Sequence, residues 1–306
     1  MLAAPLHVPP KRYLLEFFRR GGDERALSVQ ALDALERVIG TNLSDYIMNI
    51  AVKEALRTRS VEAETVIMKE LAQMITKKVW TPVDTRKLTA DERLSVISSS
   101  MFVKQKFHPN GEHDKLKARL VAGGDQQNED LYDDLSAPTV STCSVFTVLA
   151  ITGQESRFSA VVDISGAFLN AEMDTGVVVH MRLDKVMSSL LVKLSEDYTR
   201  MLDSKGCVVV RLNKALYGCV ESAALWYENL RHTMEEMGYR KNEYDVCVFN
   251  RVSEGGIQCT ATVHVDDLLI RSRSKEMIEE LCTGLKKGME IQVNLMAQFL
   301  TTSAWF

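Results

Sequence analysis

Val263-His264-Val265-Asp266-Asp267-Leu268-Leu269-Ile270 sets two adjacent carboxylates inside an otherwise apolar, β-prone run. An ionised carboxylate in apolar surroundings is costly, so such charges are normally paired or bound to metal. Successive strand residues point to opposite faces of a sheet, so both Asp can serve one site only where the chain bends. Residues 257–265 and 268–272 read as two strands, which puts Asp266-Asp267 at or beside a hairpin tip. Two hard oxygen donors there suit Mg²⁺, which is typically held by one or two carboxylates plus substrate phosphates. The plainer reading is a simple turn, since Asp is a good turn former.

Composition narrows the setting. A chain of 306 residues allows one large domain or two ordinary ones. Its 46% hydrophobic and 25% charged content is that of a globular protein with a real core. No apolar run approaches the roughly 18–20 residues needed to span a bilayer. Met1 to Pro10 has no basic stretch ahead of an apolar one, so no signal peptide is expected. Cys143, Cys207, Cys219, Cys247, Cys259 and Cys282 form no C-x-x-C pair. They mostly sit in apolar runs, which argues against a zinc or disulfide framework. The expected setting is intracellular, cytoplasmic or nuclear, without a membrane. A net charge of −4 argues against coating nucleic acid by bulk electrostatics but allows a local basic surface. Lys104, Lys106, Lys115, Lys117 and Arg119 supply one, facing only Glu112 and Asp114. The sign then reverses at Asp125, Glu129, Asp130, Asp133 and Asp134.

Taken in order, the chain opens with a Pro-rich stretch over 1–22, then helices over 23–39, 44–58 and 61–78. Gly21-Gly22-Asp23-Glu24 spells most of the diguanylate cyclase signature, but it precedes a helix instead of joining two strands, and Arg25 replaces the expected aromatic. Val96 to Phe107 and Lys115 to Val121 read as a hairpin about His108-Pro109-Asn110-Gly111, because Asn-Gly between strand-like runs favours that turn. On its returning strand Arg119 can grip phosphate by its planar fork and Lys117 as a point charge. Alternatively, they are lysine-type protection of an edge strand. A helix over 141–152 is capped by Ser141 or Thr142 and stopped by Gly153. Phe158 to Asn170 follows as a strand interrupted by one acid, Asp163, then a Gly turn. Alone, Asp163 reads as a turn or cap residue; with Asp266 and Asp267 it makes a third carboxylate for a divalent-metal site. Strands over 177–181 and 207–212, a helix from Ser222 to Met237 with Trp226, Leu230 and Met234 on its core face, a hairpin around Glu254-Gly255-Gly256 and a helix over 275–287 complete the pattern. This is an α+β chain with a sheet covered by helices on one face.

Five ordered stretches carry a resemblance: Lys117-Ala118-Arg119-Leu120-Val121-Ala122, Asp163-Ile164 through Ala167-Phe168-Leu169-Asn170, Lys214-Ala215-Leu216-Tyr217-Gly218, Trp226-Tyr227, and Val265-Asp266-Asp267-Leu268-Leu269. Together they resemble the reverse transcriptase of copia-type LTR retrotransposons. The likeness implies a right-hand polymerase with fingers over about 80–135 and an antiparallel palm sheet. The likeness covers about residues 65–285, so the chain divides into 1–60 (helical by pattern and not explained by the likeness), 61–290 (fingers and palm) and 291–306 (unassigned). It further implies RNA-directed DNA synthesis on an RNA template and DNA primer from dNTPs. Two Mg²⁺ ions, with Mn²⁺ as a substitute, would be held by Asp163, Asp266 and Asp267, one activating the primer 3′-hydroxyl and the other holding the triphosphate. Lys117 and Arg119 match fingers residues that contact the triphosphate, and Phe168 matches an aromatic gate against the 2′-hydroxyl; its plainer reading is a core Phe. Other polyprotein-derived chains are further implied partners, and retrotransposon particles an implied location.

The departures are informative. His264 stands where the family usually has Tyr. After Gly218 the family's Leu-Lys-Gln-x-Pro-Arg is replaced by Cys219-Val220-Glu221-Ser222-Ala223-Ala224, so Glu221 is expected to bring negative charge near template or nucleotide. No Leu-Gly thumb segment is evident beyond residue 290, so the thumb reads as largely missing, and nothing resembles an RNase H domain. The competing reading is therefore an inactive, truncated remnant that folds as a palm and at most binds nucleic acid.

Overall fold

The strands that flank the Asp pair are buried along nearly their whole length on both faces, and the strand period of two decides which side chains share a face. The computed structural model describes residues 50–107, 113–174 and 176–296. Its strands form three antiparallel sheets. A three-stranded sheet runs β1 (Ile50–Ala51), β3 (Ser99–Phe107), β4 (His113–Ala122). A second runs β2 (Trp80–Val83), β7 (Val209–Leu212), β6 (His180–Arg182). The largest has six strands in the order β12 (Ile291–Met296), β5 (Phe158–Ile164), β11 (Asp267–Ser272), β10 (Gln258–His264), β9 (Val248–Val252) and β8 (Arg240–Lys241). Seven helices join them: α1 (Val52–Thr58), α2 (Ser60–Thr76), α3 (Ala90–Leu94), α4 (Thr142–Gln154), α5 (Lys185–Leu194), α6 (Ser222–Glu236) and α7 (Lys275–Lys286).

Two hydrophobic cores result. One gathers α1, α2 and α5 with both small sheets around Ile67, Leu71, Leu120, Met181 and Val210. The other lies on one face of the six-stranded sheet, where Ala160, Val162, Ile164, Ala261, Val263, Leu268 and Ile270 meet Trp226 and Leu230 of α6 and Ile278, Leu281 and Leu285 of α7. Both helices thus cover the same face. The opposite face carries Asp163 and Asp267.

Among the described residues the expected elements recur with shifted bounds, and α3, α5, β1, β2, β8 and β12 are additional. α4 runs through Gly153 to Gln154, capped by Ser141, whose side chain accepts from Ser144 N–H. α5 had been passed over although Asp184 caps it and Met187, Leu190 and Leu191 form its buried stripe. α3 is fixed by a capping box between Thr89 and Glu92. β2 and β12 are short and depend on partners; β12 pairs along β5 from Ile291 opposite Ile164 to Met296 opposite Ser159, so residues 291–296 belong to the large sheet. Part of the first 60 residues is also integrated, since β1 pairs with β3. The helix expected over 23–39 lies outside the described residues.

A close backbone approach joins the basic strand to the segment before α6. Ala122 N–H donates to Tyr217 C=O at 2.7 Å. A Cβ on Gly124 would lie 1.9 Å from the Gly218 carbonyl oxygen, and one on Gly218, at φ +92°, would lie 2.2 Å from the Ala122 oxygen. Gly124→Ala is therefore expected to lower the urea midpoint, by about 1–3 kcal/mol of stability on the scale of overpacking. Gly153→Ala, within α4 and with no atom near the added carbon, is expected to raise it by about 0.5–1 kcal/mol.

Candidate active site

The β10–β11 turn is the tightest piece of backbone in the site. His264 and Asp267 are paired across the ladder, which leaves Val265 and Asp266 as the two loop residues. Val265 has φ +58°, a conformation that costs a β-branched residue about 1–2 kcal/mol. Both turn carbonyls are bound from outside. Trp226 Nε1–H donates to Val265 C=O at 2.7 Å, and Ile164 N–H donates to Asp266 C=O at 2.9 Å. Each bond contributes about 0.5–1.5 kcal/mol, enough together to offset the strain. Trp226, expected as a core residue, is buried and also clamps the turn.

This geometry brings the three acids together. Asp163, on β5, is the ladder partner of Asp267, so both side chains leave the same face of the sheet, while Asp266 occupies the turn beside them. Burial raises the Asp267 carboxyl above its ordinary range, Asp266 and Asp163 push it further, and His264 opposes them. Among the described residues no three His, Cys, Asp or Glu side chains close tightly enough to hold a metal ion by themselves. The donor chemistry still fits a hard divalent cation. Mg²⁺ keeps several waters and takes ligands from substrate phosphates, so it does not require a closed protein cage. Mutually repelling carboxylates on one sheet face are suited to such an open site.

Beside the acids stands a cationic and aromatic group. Lys117 and Arg119 alternate with buried Leu116, Ala118 and Leu120, so both project from the exposed face of β4. Lys104 lies directly across the ladder from Lys117, a like-charged pair that an anion would relieve. The Arg119 guanidinium sits 3.9 Å from the centroid of the Tyr217 ring, and that ring packs against Phe168 at 4.6 Å with a 52° tilt. Phe168 rides on a 3-10 turn, Ala167–Asn170, that follows Gly166 at φ +60°; it is half-buried and packed against the second core. Burial raises the Tyr217 hydroxyl; Arg119 lowers it, while Asp266, Glu70 and Asp163 raise it further. Tyr217 therefore links the cations to the carboxylates.

Two residues missed as site residues in the sequence matter here. Tyr217 was visible only as part of a loop motif. Glu70, on α2, accepts from Leu120 N–H at 3.1 Å and senses the charges of Lys117 and Arg119, so it fastens the basic strand to α2. Nothing in the amphipathic pattern of α2 separates Glu70 from a solvated acid. Glu221 corrects an expectation: its carboxylate is buried, accepting from Gln127 Nε2 at 2.9 Å and Tyr132 Oη at 3.0 Å, and so turns inward, where it ties the loop before α6 to residues 127–132. The Gly21-Gly22-Asp23-Glu24 stretch lies outside the described residues.

The raised Asp267 pKa gives a pH test. Its folded state binds a proton more readily than the ordinary value of 3.8, so its contribution to stability is full below that value and is lost as pH rises through the folded pKa. In metal-free buffer Asp267→Asn is expected to melt above the wild type at pH 7, with the difference shrinking below pH 3.8. Thermal melts across that range measure it.

Comparison with known proteins fits this geometry. Residues 78–302 match the family model described as reverse transcriptase (RNA-dependent DNA polymerase). The chain is 27% identical over 229 residues to the Transposon Ty1-LR2 Gag-Pol polyprotein of Saccharomyces cerevisiae, covering 74% of this chain and 11% of that protein. It is 27% identical over 180 residues to the Retrovirus-related Pol polyprotein from transposon TNT 1-94 of Nicotiana tabacum, covering 58% and 12%. The chain thus spans about a tenth of the length of these relatives. With the family model matching well over half of its residues, the chain belongs to the reverse transcriptase family of copia-type retrotransposon Pol proteins.

Proposed function

We propose that this chain carries out RNA-directed DNA synthesis, with the six-stranded sheet as palm and the β1-β3-β4 sheet as fingers. The observation that carries the reading is the ladder pairing of Asp163 with Asp267, with Asp266 held in the adjoining turn. Asp163 and Asp266 are the main metal ligands and Asp267 the third carboxylate. Two Mg²⁺ ions, or Mn²⁺ in their place, would when bound acidify the primer 3′-hydroxyl and neutralise the triphosphate. The reaction is in-line: the 3′-oxygen bonds to the α-phosphorus of a dNTP as the bond to pyrophosphate breaks. Catalysis is by positioning and charge, without a protein nucleophile.

The other residues act on the nucleotide. Lys117 and Arg119 bind the triphosphate, and Tyr217 holds the Arg119 fork flat from below. Phe168, braced by Tyr217, presents its ring to the sugar and clashes with a 2′-hydroxyl. The template is RNA and the primer DNA.

Primer extension on an RNA template with Mg²⁺ or Mn²⁺ tests the reading. Addition is expected from the wild type and a loss of about 10²–10³-fold in Asp266→Asn, the scale of removing one strong electrostatic contact at a reacting centre. In the same assay Phe168→Ala should raise ribonucleotide incorporation relative to deoxynucleotide. No addition by a chain that melts cooperatively would reject catalysis and leave a fold that at most binds nucleic acid.

A further inference from the structure

Away from the carboxylates, the turn after β2 and the loop after α5 enclose a cleft of about 310 Å³. Arg86, Arg93, Arg182 and Lys205 line it against a single lining carboxylate, Asp203. Two of the four cations are neutralised within the chain. The Arg86 fork is bidentate on Asp84, at 2.8 and 2.9 Å, and holds that carboxyl down at about 2. Arg182 Nη1 donates to Asp203 at 3.0 Å, while the other Asp203 oxygen accepts from Lys205 and Cys207 N–H. The remaining two are not. The Arg93 side chain donates to the Arg86 carbonyl, and neither it nor the Lys205 side chain has a carboxylate partner among the described residues.

We propose that this cleft binds the phosphodiester backbone of a nucleic-acid strand, at a site separate from the triphosphate contacts of Lys117 and Arg119. Two unneutralised cations facing one cleft repel each other, and an anion removes that cost. Planar guanidinium forks suit phosphate oxygens. The lining holds no aromatic ring, so it offers no platform for base stacking and fits backbone without sequence preference. The cleft is also joined to the basic hairpin: Arg182 N–H donates to Ile97 C=O at 2.8 Å, Ile97 N–H to His180 C=O at 2.9 Å, and Ser99 Oγ to Arg182 C=O at 2.8 Å, immediately before and at the start of β3. A strand bound there lies beside the sheet that carries β4. The identity of the polyanion rests on the polymerase reading; the anion-binding chemistry does not.

Fluorescence anisotropy of a labelled single-stranded RNA, titrated with the full chain across a NaCl series, tests this. For Arg93→Gln/Lys205→Gln the slope of log affinity against log salt should be shallower by about 1.4, two contacts at about 0.7 each, with weaker binding at low salt. Lys205→Gln alone should give about half that change. Lys286→Gln/Lys287→Gln, the same charge change at the end of α7, should leave the slope unaltered. Equal slopes for wild type and the Arg93/Lys205 variant, or an equal change from the α7 pair, overturns the site. A wild type that binds no RNA overturns both this site and the polymerase reading. Primer extension retained by the Arg93/Lys205 variant at low salt, with its slope reduced, supports the cleft and leaves the polymerase reading intact.

Discussion

The candidate site depends on a valine held in left-handed backbone. Val265 adopts φ +58° so that the β10–β11 turn closes in two residues, and this presents Asp266 and Asp267 consecutively at the mouth of the sheet. A longer loop would loosen the hold on Asp266; a flat strand would send the two carboxylates to opposite faces. The strain persists because helix α6 and strand β5 each hold one turn carbonyl through Trp226 and Ile164. The strand that bonds the turn is the one that carries Asp163. One set of backbone bonds therefore fixes the strained turn and the third acid together.

A second constraint lies across from the acids. Gly124 and Gly218 allow the backbone before α6 to lie on the end of β4, and that contact sets Tyr217 under Arg119. Glu70 fastens the same strand to α2, and the inward-turned Glu221 ties the loop to residues 127–132. Glu70 thus anchors the strand that carries the cations, and Glu221 the loop that carries Tyr217. On the proposed reading, negative charge is concentrated at the sheet mouth and positive charge on the neighbouring hairpin, as holding a triphosphate between a metal site and a cationic grip requires.

Much of this was legible from the chain alone, for physical reasons. Asp163 and the Asp pair interrupt apolar β runs, where an unpaired charge is expensive, so they stand out against their neighbours. Lys117 and Arg119 obey a period of two with buried Leu116, Ala118 and Leu120 between them. What escaped was what depends on tertiary partners. β12 pairs with β5, a strand well over a hundred residues earlier, and nothing local in the sequence shows that partner. Tyr217 gains its role from a backbone approach between segments nearly a hundred residues apart. Glu221 was misjudged because an acid read in one dimension looks solvent-facing, whereas Gln127 and Tyr132 satisfy it inside. α5 carries its own local signal, a cap at Asp184 ahead of the buried stripe Met187, Leu190 and Leu191.

The central claim is that Asp163, Asp266 and Asp267 act on one divalent cation site. The most direct measurement is the melting temperature of the full chain with and without Mg²⁺, for the wild type and for Asp163→Asn and Asp266→Asn. The account predicts a metal-dependent rise in the wild type that is lost in both variants, although the two residues lie about a hundred positions apart on different strands. A rise that survives either substitution undiminished would contradict it.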